Sequence, residues 1–197
     1  MNTRTNLPDH QANSAGPVRR VLSAHPTGIA GSAAVFFDRD GVLNRDLDYV
    51  HSSDRFEPVP GAADAIAWLN AGGRKVVFVT NQAGIARGYY SEEQFVAFTR
   101  WIEDWLAARG ALIEATYYCP HHPTAGQGDY LRVCGCRKPE PGMIRAGLAD
   151  LALDPARCFL VGDQPTDIAA AKAAGIRGHL FDGGNLLDFV RPLVDTD

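Results

Sequence analysis

The sequence predicts an α/β fold, a doubly wound parallel sheet of the Rossmann-like type, and three observations lead to this prediction. Short apolar segments alternate with helix-forming segments along the chain. Their spacing suits right-handed βαβ units, which bring helices to both faces of a sheet. Polar residues suited to chemistry follow the predicted strands, as they do at the carboxyl edge of an open α/β sheet, where ligands bind.

The first half of the chain contains two predicted strands and two predicted helices. Residues 33–37 have the length and composition of a buried strand, and Pro60-Gly61 opens a helix over residues 62–70. Residues 75–80 are rich in β-branched side chains and form the second strand. Ser91, followed by Gln94, is a capping-box signature and opens an amphipathic helix that runs to about Arg109.

The second half contains three further predicted strands. Residues 115–119 form the third strand, and a loop without helical period follows to Cys136. A helix is predicted after Pro141 and a second one at residues 166–174. The last two strands cover residues 158–161 and 178–181, which completes the alternating pattern.

Length and composition predict one folded domain. A chain of 197 residues that is 46% hydrophobic can bury one core, and we assign that core to a single domain at residues 33–197. Residues 1–32 are polar and rich in Pro and Gly, which predicts a disordered polar tail.

Charge and hydropathy exclude two classes of partner. The net charge is −4 and the pI is about 5.8, so no basic face for nucleic acid is expected. No apolar stretch approaches the roughly 20 residues that span a membrane, and the N-terminus lacks the apolar segment of a secretory signal. We therefore expect a cytoplasmic protein that binds neither nucleic acid nor membrane.

Two carboxylates follow the first strand. Asp38 and Asp40 are separated by one residue, with Gly41 behind them, so strand alternation directs both side chains to the same side. Like charges at this distance repel unless a cation compensates, which favours a metal-assisted site. The pattern Asp-x-Asp-Gly also occurs in turns and in calcium loops. The calcium-loop interpretation fails because Gly41 comes too early.

Four further residues fall at the same predicted edge of the sheet. Thr80 ends the second strand, Lys138 precedes the helix after the loop, and Asp163 and Asp167 follow the fourth strand. Each has an ordinary alternative, as a helix cap, a solvated charge or a turn residue. Together they supply carboxylates for a hard cation, a hydroxyl for a phosphate oxygen and an ammonium group for its charge.

These motifs resemble those of the haloacid dehalogenase superfamily of phosphatases, in the same order along the chain. The resemblance covers about residues 33–190 and rests on four motifs: Asp38-Arg39-Asp40-Gly41, Thr80, Lys138 and Gly162-Asp163-x-x-x-Asp167. It implies a Rossmann-like haloacid dehalogenase fold and a phosphoric monoester hydrolase.

The resemblance also implies roles for the motif residues. Asp38 would be the nucleophile that forms an aspartyl-phosphate. Asp40 would donate a proton to the leaving group and later accept one from the attacking water. Thr80 and Lys138 would hold the phosphoryl oxygens. The implied Mg²⁺ ligands are the side chains of Asp38 and Asp163 and the backbone carbonyl of Asp40, with Asp167 in the outer shell.

A cysteine and histidine cluster lies in the loop at residues 119–136. Cys119, His121, Cys134 and Cys136 supply three thiolates and one imidazole, which suits a structural, tetrahedral Zn²⁺. A disulfide, or cysteines buried as small hydrophobes, are the alternatives. The lack of a secretory signal argues against the disulfide. A zinc ion here would order the loop and fix the adjacent Arg137-Lys138.

Within the superfamily, this loop resembles that of the heptose 1,7-bisphosphate 7-phosphatases. The resemblance rests on three segments: Cys-Pro-His-His-Pro, Cys-x-Cys-Arg-Lys-Pro and Thr-Asn-Gln-Ala-Gly-Ile-Ala-Arg-Gly. The histidinol-phosphate phosphatases share the cluster with a shorter loop and are the alternative. A more remote alternative is a catalytically inactive binding module that zinc orders. The implied contacts with a small phosphorylated sugar are Asp46, Leu47, Asp48, Tyr49, Asn81, Gln82, Ala83, Arg137 and Gln164.

Motif spacing leaves no room for a separate cap domain. Only 39 residues separate Asp40 from Thr80, and 57 separate Thr80 from Lys138, and predicted core elements occupy most of both gaps. The sequence therefore predicts an open pocket on a monomer, lined by loops and by the zinc-binding insertion.

Overall fold

Six strands form one sheet in the computed structural model, which describes residues 18–194. The strands are β1 (Arg19–Leu22), β2 (Ala34–Phe37), β3 (Lys75–Asn81), β4 (Ala115–Cys119), β5 (Cys158–Gly162) and β6 (Arg177–Leu180). Their order across the sheet is β1-β4-β3-β2-β5-β6. All neighbouring pairs are parallel except β1 with β4, so the carboxyl ends of β2 to β6 lie at one edge.

Helices cover both faces of this sheet, which confirms the doubly wound α/β fold. They are α1 (Ala62–Ala71), α2 (Ala83–Ala86), α3 (Glu92–Ala107), α4 (Gly142–Asp150), α5 (Pro165–Ala174) and α6 (Leu186–Val194). Helices α1, α3 and α6 pack against the face that carries Val35 and Phe37. Helices α4 and α5 pack against the opposite face, which carries Ala34 and Phe36.

Local sequence explains why α3 begins and packs as it does. The Ser91 side chain accepts from the Gln94 backbone and the Gln94 side chain accepts from the Ser91 backbone, so the predicted capping box is present. The predicted apolar stripe is core: Phe98, Ile102 and Leu106 are buried in it. These contacts fix α3 over the strands that end at the site.

The structure contradicts the predicted disordered tail over residues 18–32. β1 pairs with the edge strand β4, and ion pairs join Arg19 to Glu92 and Arg20 to Asp150. Sequence reasoning missed β1 because it is short and has only one buried side chain, so its pairing depends on the exposed edge of β4. The remainder of the predicted tail, residues 1–17, lies outside the described residues, as do residues 195–197.

Two further elements were not predicted. α2 is a single turn, and α6 contains Pro192, a residue type that disfavours helix interiors. α6 forms because Leu186 and Val190 bury their side chains in the core beside α1. No helix within residues 18–194 has the length and apolar composition that crossing a membrane requires.

Candidate active site

Asp38 follows β2 at the carboxyl edge of the sheet. Its backbone N–H donates to Val161 O of the neighbouring β5 (3.0 Å), which fixes its main chain. Its side chain accepts from the Arg39 backbone N–H (2.7 Å) and contacts the Lys138 ammonium (2.8 Å). Burial raises the pKa of Asp38 to about 7, although Lys138 opposes this. A cation bound beside it would favour the charged, nucleophilic form.

Lys138 is a buried charge at the centre of the site. Its Nζ lies 2.8 Å from Asp38 and 2.6 Å from Asp167, and it donates to Val79 O (2.9 Å). Burial alone would lower the pKa of Lys138, but the two carboxylates outweigh it and raise that pKa above its ordinary value. The Asn81 side-chain amide accepts from the Lys138 N–H and donates to its carbonyl, so the Lys138 backbone is fixed as well.

Three carboxylates converge beside this lysine. Oxygens of Asp38, Asp163 and Asp167 all lie within 4.8 Å of one another. Burial raises the pKa of Asp163, since its charged form loses hydration there. Gly41 allows this approach: it has φ +85°, and a Cβ at this position would lie 2.2 Å from Asp163 Oδ2. An oxygen-only set with one lysine suits a hard divalent cation such as Mg²⁺.

Asp40 is held from the core side. Arg39 donates to both of its carboxylate oxygens, with a shortest N–O distance of 2.7 Å. Asn44 donates to Oδ1 (3.0 Å) and Gln82 donates to Oδ2 (3.2 Å). The Asp40 side chain is still 23% exposed, so its carboxylate can meet a substrate.

Thr80 and Gln82 connect β3 to the same site. Gln82 Nε2 donates to Thr80 Oγ1 (2.8 Å), and Tyr90 donates to Gln82 Oε1 (2.5 Å). All three side chains are buried. The Thr80 hydroxyl is therefore held beside Asp40 at the end of its strand.

These residues surround one open cavity of about 320 Å³. Its lining includes every predicted site residue of the carboxyl edge and all but one of the predicted sugar contacts. The exception is Leu47, which packs against the apolar core. Tyr90 and Thr166 also line the cavity and were missed. Thr166 lies three residues after the Asp163 motif residue, which was a usable signal, whereas nothing local marked Tyr90.

The loop at residues 46–49 forms one wall of the cavity in a strained conformation. Asp48 and Tyr49 both have φ 55°, a left-handed backbone that non-glycine residues seldom adopt. Arg55 donates to the carbonyls of Leu47 and Asp48 and so secures the loop from outside. The Tyr49 ring packs edge-on against Tyr89, with centroids 4.8 Å apart.

The four predicted zinc ligands form a second buried cluster. Their side-chain donor atoms all lie within 4.8 Å of one another, and the four residues are Cys119, His121, Cys134 and Cys136. The Sγ–Sγ distances are 3.2, 3.3 and 3.5 Å, and His121 Nδ1 lies 3.5 and 3.7 Å from two of the sulfurs. A Zn–S bond of about 2.3 Å implies a tetrahedron edge of roughly 3.8 Å. The cluster therefore fits a four-coordinate zinc, and the cysteines are free rather than disulfide-bonded.

Contacts around this cluster link it to the cavity. Arg137, which lines the cavity, donates to His121 O (3.2 Å). Tyr130, in a short 3₁₀ turn of the same loop, donates to Glu92 Oε1 of α3 (2.7 Å). Clamping the loop therefore fixes both the guanidinium of Arg137 and the backbone that leads into Lys138.

Comparisons with known proteins agree on one family. Residues 35–96 match the model of the haloacid dehalogenase-like hydrolases, and residues 135–187 match the HAD-hydrolase-like model. The D-glycero-beta-D-manno-heptose-1,7-bisphosphate 7-phosphatase of Pasteurella multocida is 49% identical over 148 residues, which cover 75% of this chain and 80% of that protein.

Solved structures show the same relationship. A D,D-heptose 1,7-bisphosphate phosphatase from B. bronchiseptica, complexed with magnesium and phosphate, has a TM-score of 0.69 and 36% identity over 81% of this chain and 86% of that one. A had-like phosphatase from Mesorhizobium loti has a TM-score of 0.78 and 35% identity, covering 87% and 82% of the two chains.

Proposed function

Since the chain belongs to the D-glycero-beta-D-manno-heptose-1,7-bisphosphate 7-phosphatases, within the haloacid dehalogenase-like hydrolases, we propose that it removes the 7-phosphate of D-glycero-D-manno-heptose 1,7-bisphosphate. The observation that carries the proposal is the Asp38 carboxylate beside the buried Lys138 ammonium in a cavity that Arg137 also lines. The carboxylate and the ammonium group suit the phosphate that reacts, and the Arg137 guanidinium suits the second phosphate of the substrate.

The chain's own residues account for both half-reactions. Asp38 attacks phosphorus and the bond to the sugar oxygen breaks, while Asp40 gives that oxygen its proton. Asp40 then takes a proton from water, which attacks phosphorus, and the bond to Asp38 breaks. Thr80 and Lys138 hold the phosphoryl oxygens through both steps, so that the reacting atoms stay in line.

We assign the carboxylate cluster to Mg²⁺. The side chains of Asp38 and Asp163 and the backbone carbonyl of Asp40 would hold it, with Asp167 in the outer shell, where it orients Lys138. When bound, Mg²⁺ neutralises charge on the phosphate and so lowers the barrier to attack by an anion. The raised pKa values of Asp38 and Asp163 support the assignment, because the site disfavours two bare negative charges.

We assign the second cluster to Zn²⁺ in a structural role. Cys119, His121, Cys134 and Cys136 would complete its coordination shell, which leaves no position for substrate. Its contribution is the order of the loop and the position of Arg137.

The remaining cavity residues would recognise the sugar. Asp46 and Asp48 suit hydroxyl groups, and Gln164 already donates to Asp163 (2.9 Å), so its amide is oriented toward the metal site. The other proposed contacts are Tyr49, Asn81, Gln82 and Ala83. We propose that the predicted domain at residues 33–197 also includes β1, which belongs to the same sheet, and that it acts as a monomer. The free cysteines suit a cytoplasmic location.

The test is the ratio of kcat/KM for heptose 1,7-bisphosphate to that for histidinol phosphate, with Mg²⁺ present. A ratio of about 10² or more, equivalent to about 2.7 kcal/mol of differential transition-state binding, supports the heptose substrate. A ratio near or below one overturns the substrate but leaves the phosphatase in place. In parallel, Asp38→Asn is expected to abolish turnover of both compounds. Substantial Mg²⁺-dependent turnover by this variant would contradict the nucleophile assignment.

A further inference from the structure

Arg39 lies between the two reacting aspartates in sequence, yet its side chain enters the core. The residue is 2% exposed. Its Cζ lies 5.8 and 5.5 Å from the ring centroids of Phe95 and Phe98, both on α3. Burying a guanidinium in this apolar layer is costly unless its donors are satisfied.

The Nε and Nη2 donors act mainly on one neighbouring side chain, while Nη1 has no hydrogen-bond partner among the described residues. Arg39 Nε and Nη2 donate to Asp40 Oδ1 (3.2 and 2.9 Å), and Nη2 also donates to Asp40 Oδ2 (2.7 Å). The same Nη2 donates to Val50 O (2.6 Å), which ties the guanidinium to the loop that follows. The aromatic rings and this carbonyl fix the guanidinium, and the guanidinium in turn fixes both oxygens of Asp40.

Two amides complete the shell around Asp40. Asn44 and Gln82 each donate one hydrogen bond to its carboxylate, on different oxygens. Gln82 is itself oriented by Tyr90 and also donates to Thr80. All of these donors act on a carboxylate that still lines the cavity. The carboxylate is therefore restrained without being blocked.

We propose that Arg39 is the positioning residue for Asp40, holding its carboxyl group where it meets the ester oxygen of the substrate. The proposal rests on the proposed function, in which Asp40 protonates the leaving group. Arg39 does not line the cavity, so it acts only through Asp40. The competing explanation is that the pair merely neutralises a buried charge.

Leaving-group chemistry separates the two explanations. When Asp38 attacks phosphorus, an alkoxide such as the sugar oxygen departs only if Asp40 delivers a proton to it. A p-nitrophenolate ion departs without that proton. Because kcat/KM reports only the steps up to the first irreversible one, it isolates this proton transfer from the later attack of water. A displaced Asp40 therefore slows sugar-phosphate cleavage and spares p-nitrophenyl phosphate.

The experiment compares Arg39→Lys with the wild type on both substrates, with Mg²⁺ present. Lysine keeps the charge but not the planar pair of donors. We expect kcat/KM for heptose 1,7-bisphosphate to fall about 10-fold or more, with the loss in kcat and not in KM. For p-nitrophenyl phosphate we expect a change of less than about 2-fold. Asp40→Asn should lose more kcat/KM on the sugar than Arg39→Lys does, and more on the sugar than on p-nitrophenyl phosphate.

The design remains decisive if the variant folds poorly. Both substrates are measured on one preparation, so an inactive fraction lowers both values equally and cancels in their ratio. Arg109→Lys is the control, since Arg109, two residues beyond the end of α3, also packs on an aromatic ring of that helix, Trp105, but is exposed and does not line the cavity. It should leave both values unchanged.

Two other results have distinct meanings. An equal loss on both substrates by Arg39→Lys would overturn the positioning role and leave a structural one, with the phosphatase intact. Failure of the wild type on heptose 1,7-bisphosphate would instead overturn the proposed substrate. The comparison could then be repeated with whichever alkyl phosphate the enzyme cleaves.

Discussion

The molecule contains two clusters of residues suited to metal ions, and the two are built in opposite ways. The carboxylate edge, formed by Asp38, Asp163 and Asp167, lies at the ends of paired parallel strands, and Lys138 partly balances its charge. The zinc loop, residues 119–136, has one short 3₁₀ turn after β4 and otherwise no regular structure, yet it buries four soft ligands. The sheet holds the first region in place, whereas we propose that the second depends on zinc for its order.

In the proposed function, the metal of the first region serves chemistry and the metal of the second serves structure. The regions meet where Cys136 leads into Arg137 and Lys138. Order in the loop is therefore passed to the site along the backbone. Perturbing each region alone should give different combinations of lost activity and lost stability.

The largest effect is expected from Asp163→Asn. Removing this carboxylate, a proposed Mg²⁺ ligand, should lower kcat/KM by about 10³-fold or more at a standard Mg²⁺ concentration. Without Mg²⁺, the thermal unfolding midpoint should rise, because burial raises the pKa of Asp163 and its charged form is less favourable in the folded state. The gain is expected at neutral pH, where Asp163 is charged in the unfolded chain.

The sign of that gain can be checked by pH. As pH falls below the ordinary pKa of an aspartate, folded and unfolded chains are both protonated at Asp163, so the difference between variant and wild type should vanish. Calorimetry across the acid range measures this. Asp182→Asn, at an exposed position, is the control and should change neither activity nor midpoint. Destabilisation by Asp163→Asn would contradict the inference that the charged Asp163 carboxylate costs folding free energy in the absence of Mg²⁺.

The second prediction concerns Cys136→Ser, which removes one proposed zinc ligand. We expect bound zinc, measured by elemental analysis, to be lost, the unfolding midpoint to fall by several degrees and kcat/KM to fall by about 10²-fold. The activity falls because Arg137 and Lys138 lose their fixed position. Unlike Asp163→Asn, this variant should lose stability and activity together.

Cys158→Ser provides the matched control. Cys158 is as buried as Cys136 but lies at the start of β5, away from the cluster, where its Sγ faces Ser32 O. The same atom is exchanged, so any general cost of a buried serine appears in both variants. Wild-type activity in a zinc-free Cys136→Ser protein would contradict the coupling between the zinc loop and Lys138.

The sequence predicted the carboxylate edge well because its signals are local and the sheet is regular. Asp38 and Asp163 each follow a strand that apolar composition alone identifies, and parallel pairing then brings the strand ends together. The Cys and His cluster was recognisable from its spacing, and its four side chains do come together, while the bound zinc stays a prediction. In both cases, residue type and position along the chain carried the information.

The missed features depend on tertiary contacts. β1 forms because it can pair with the edge of β4. α6 forms despite its Pro192 because its apolar side chains pack in the core beside α1. Strand alternation directs Arg39 away from Asp40, and only the packing of α3 brings its guanidinium back to the carboxylate. No local pattern announces such a contact between consecutive residues.

The smallest effect is expected from removing one hydrogen bond that anchors the zinc loop to α3. Tyr130 donates to Glu92 Oε1 (2.7 Å), a contact that ties the loop to α3. Tyr130→Phe removes this hydrogen bond at a cost of about 1 kcal/mol. We expect zinc transfer to a chelator to become a few-fold faster, because the loop opens more often, while kcat/KM in excess zinc stays unchanged.

Tyr118→Phe tests whether that anchor acts on the loop itself. Tyr118 donates to the other oxygen of Glu92 (2.8 Å), but it belongs to β4, which the sheet holds in place. The variant loses an equivalent bond to the same carboxylate, so global stability should fall by a similar amount. Zinc release should not accelerate, because the ordered strand does not need this contact. Equal acceleration in both variants would mean that Glu92 stabilises the cluster through β4, and that the loop is less dependent on its own contacts than its lack of regular structure implies.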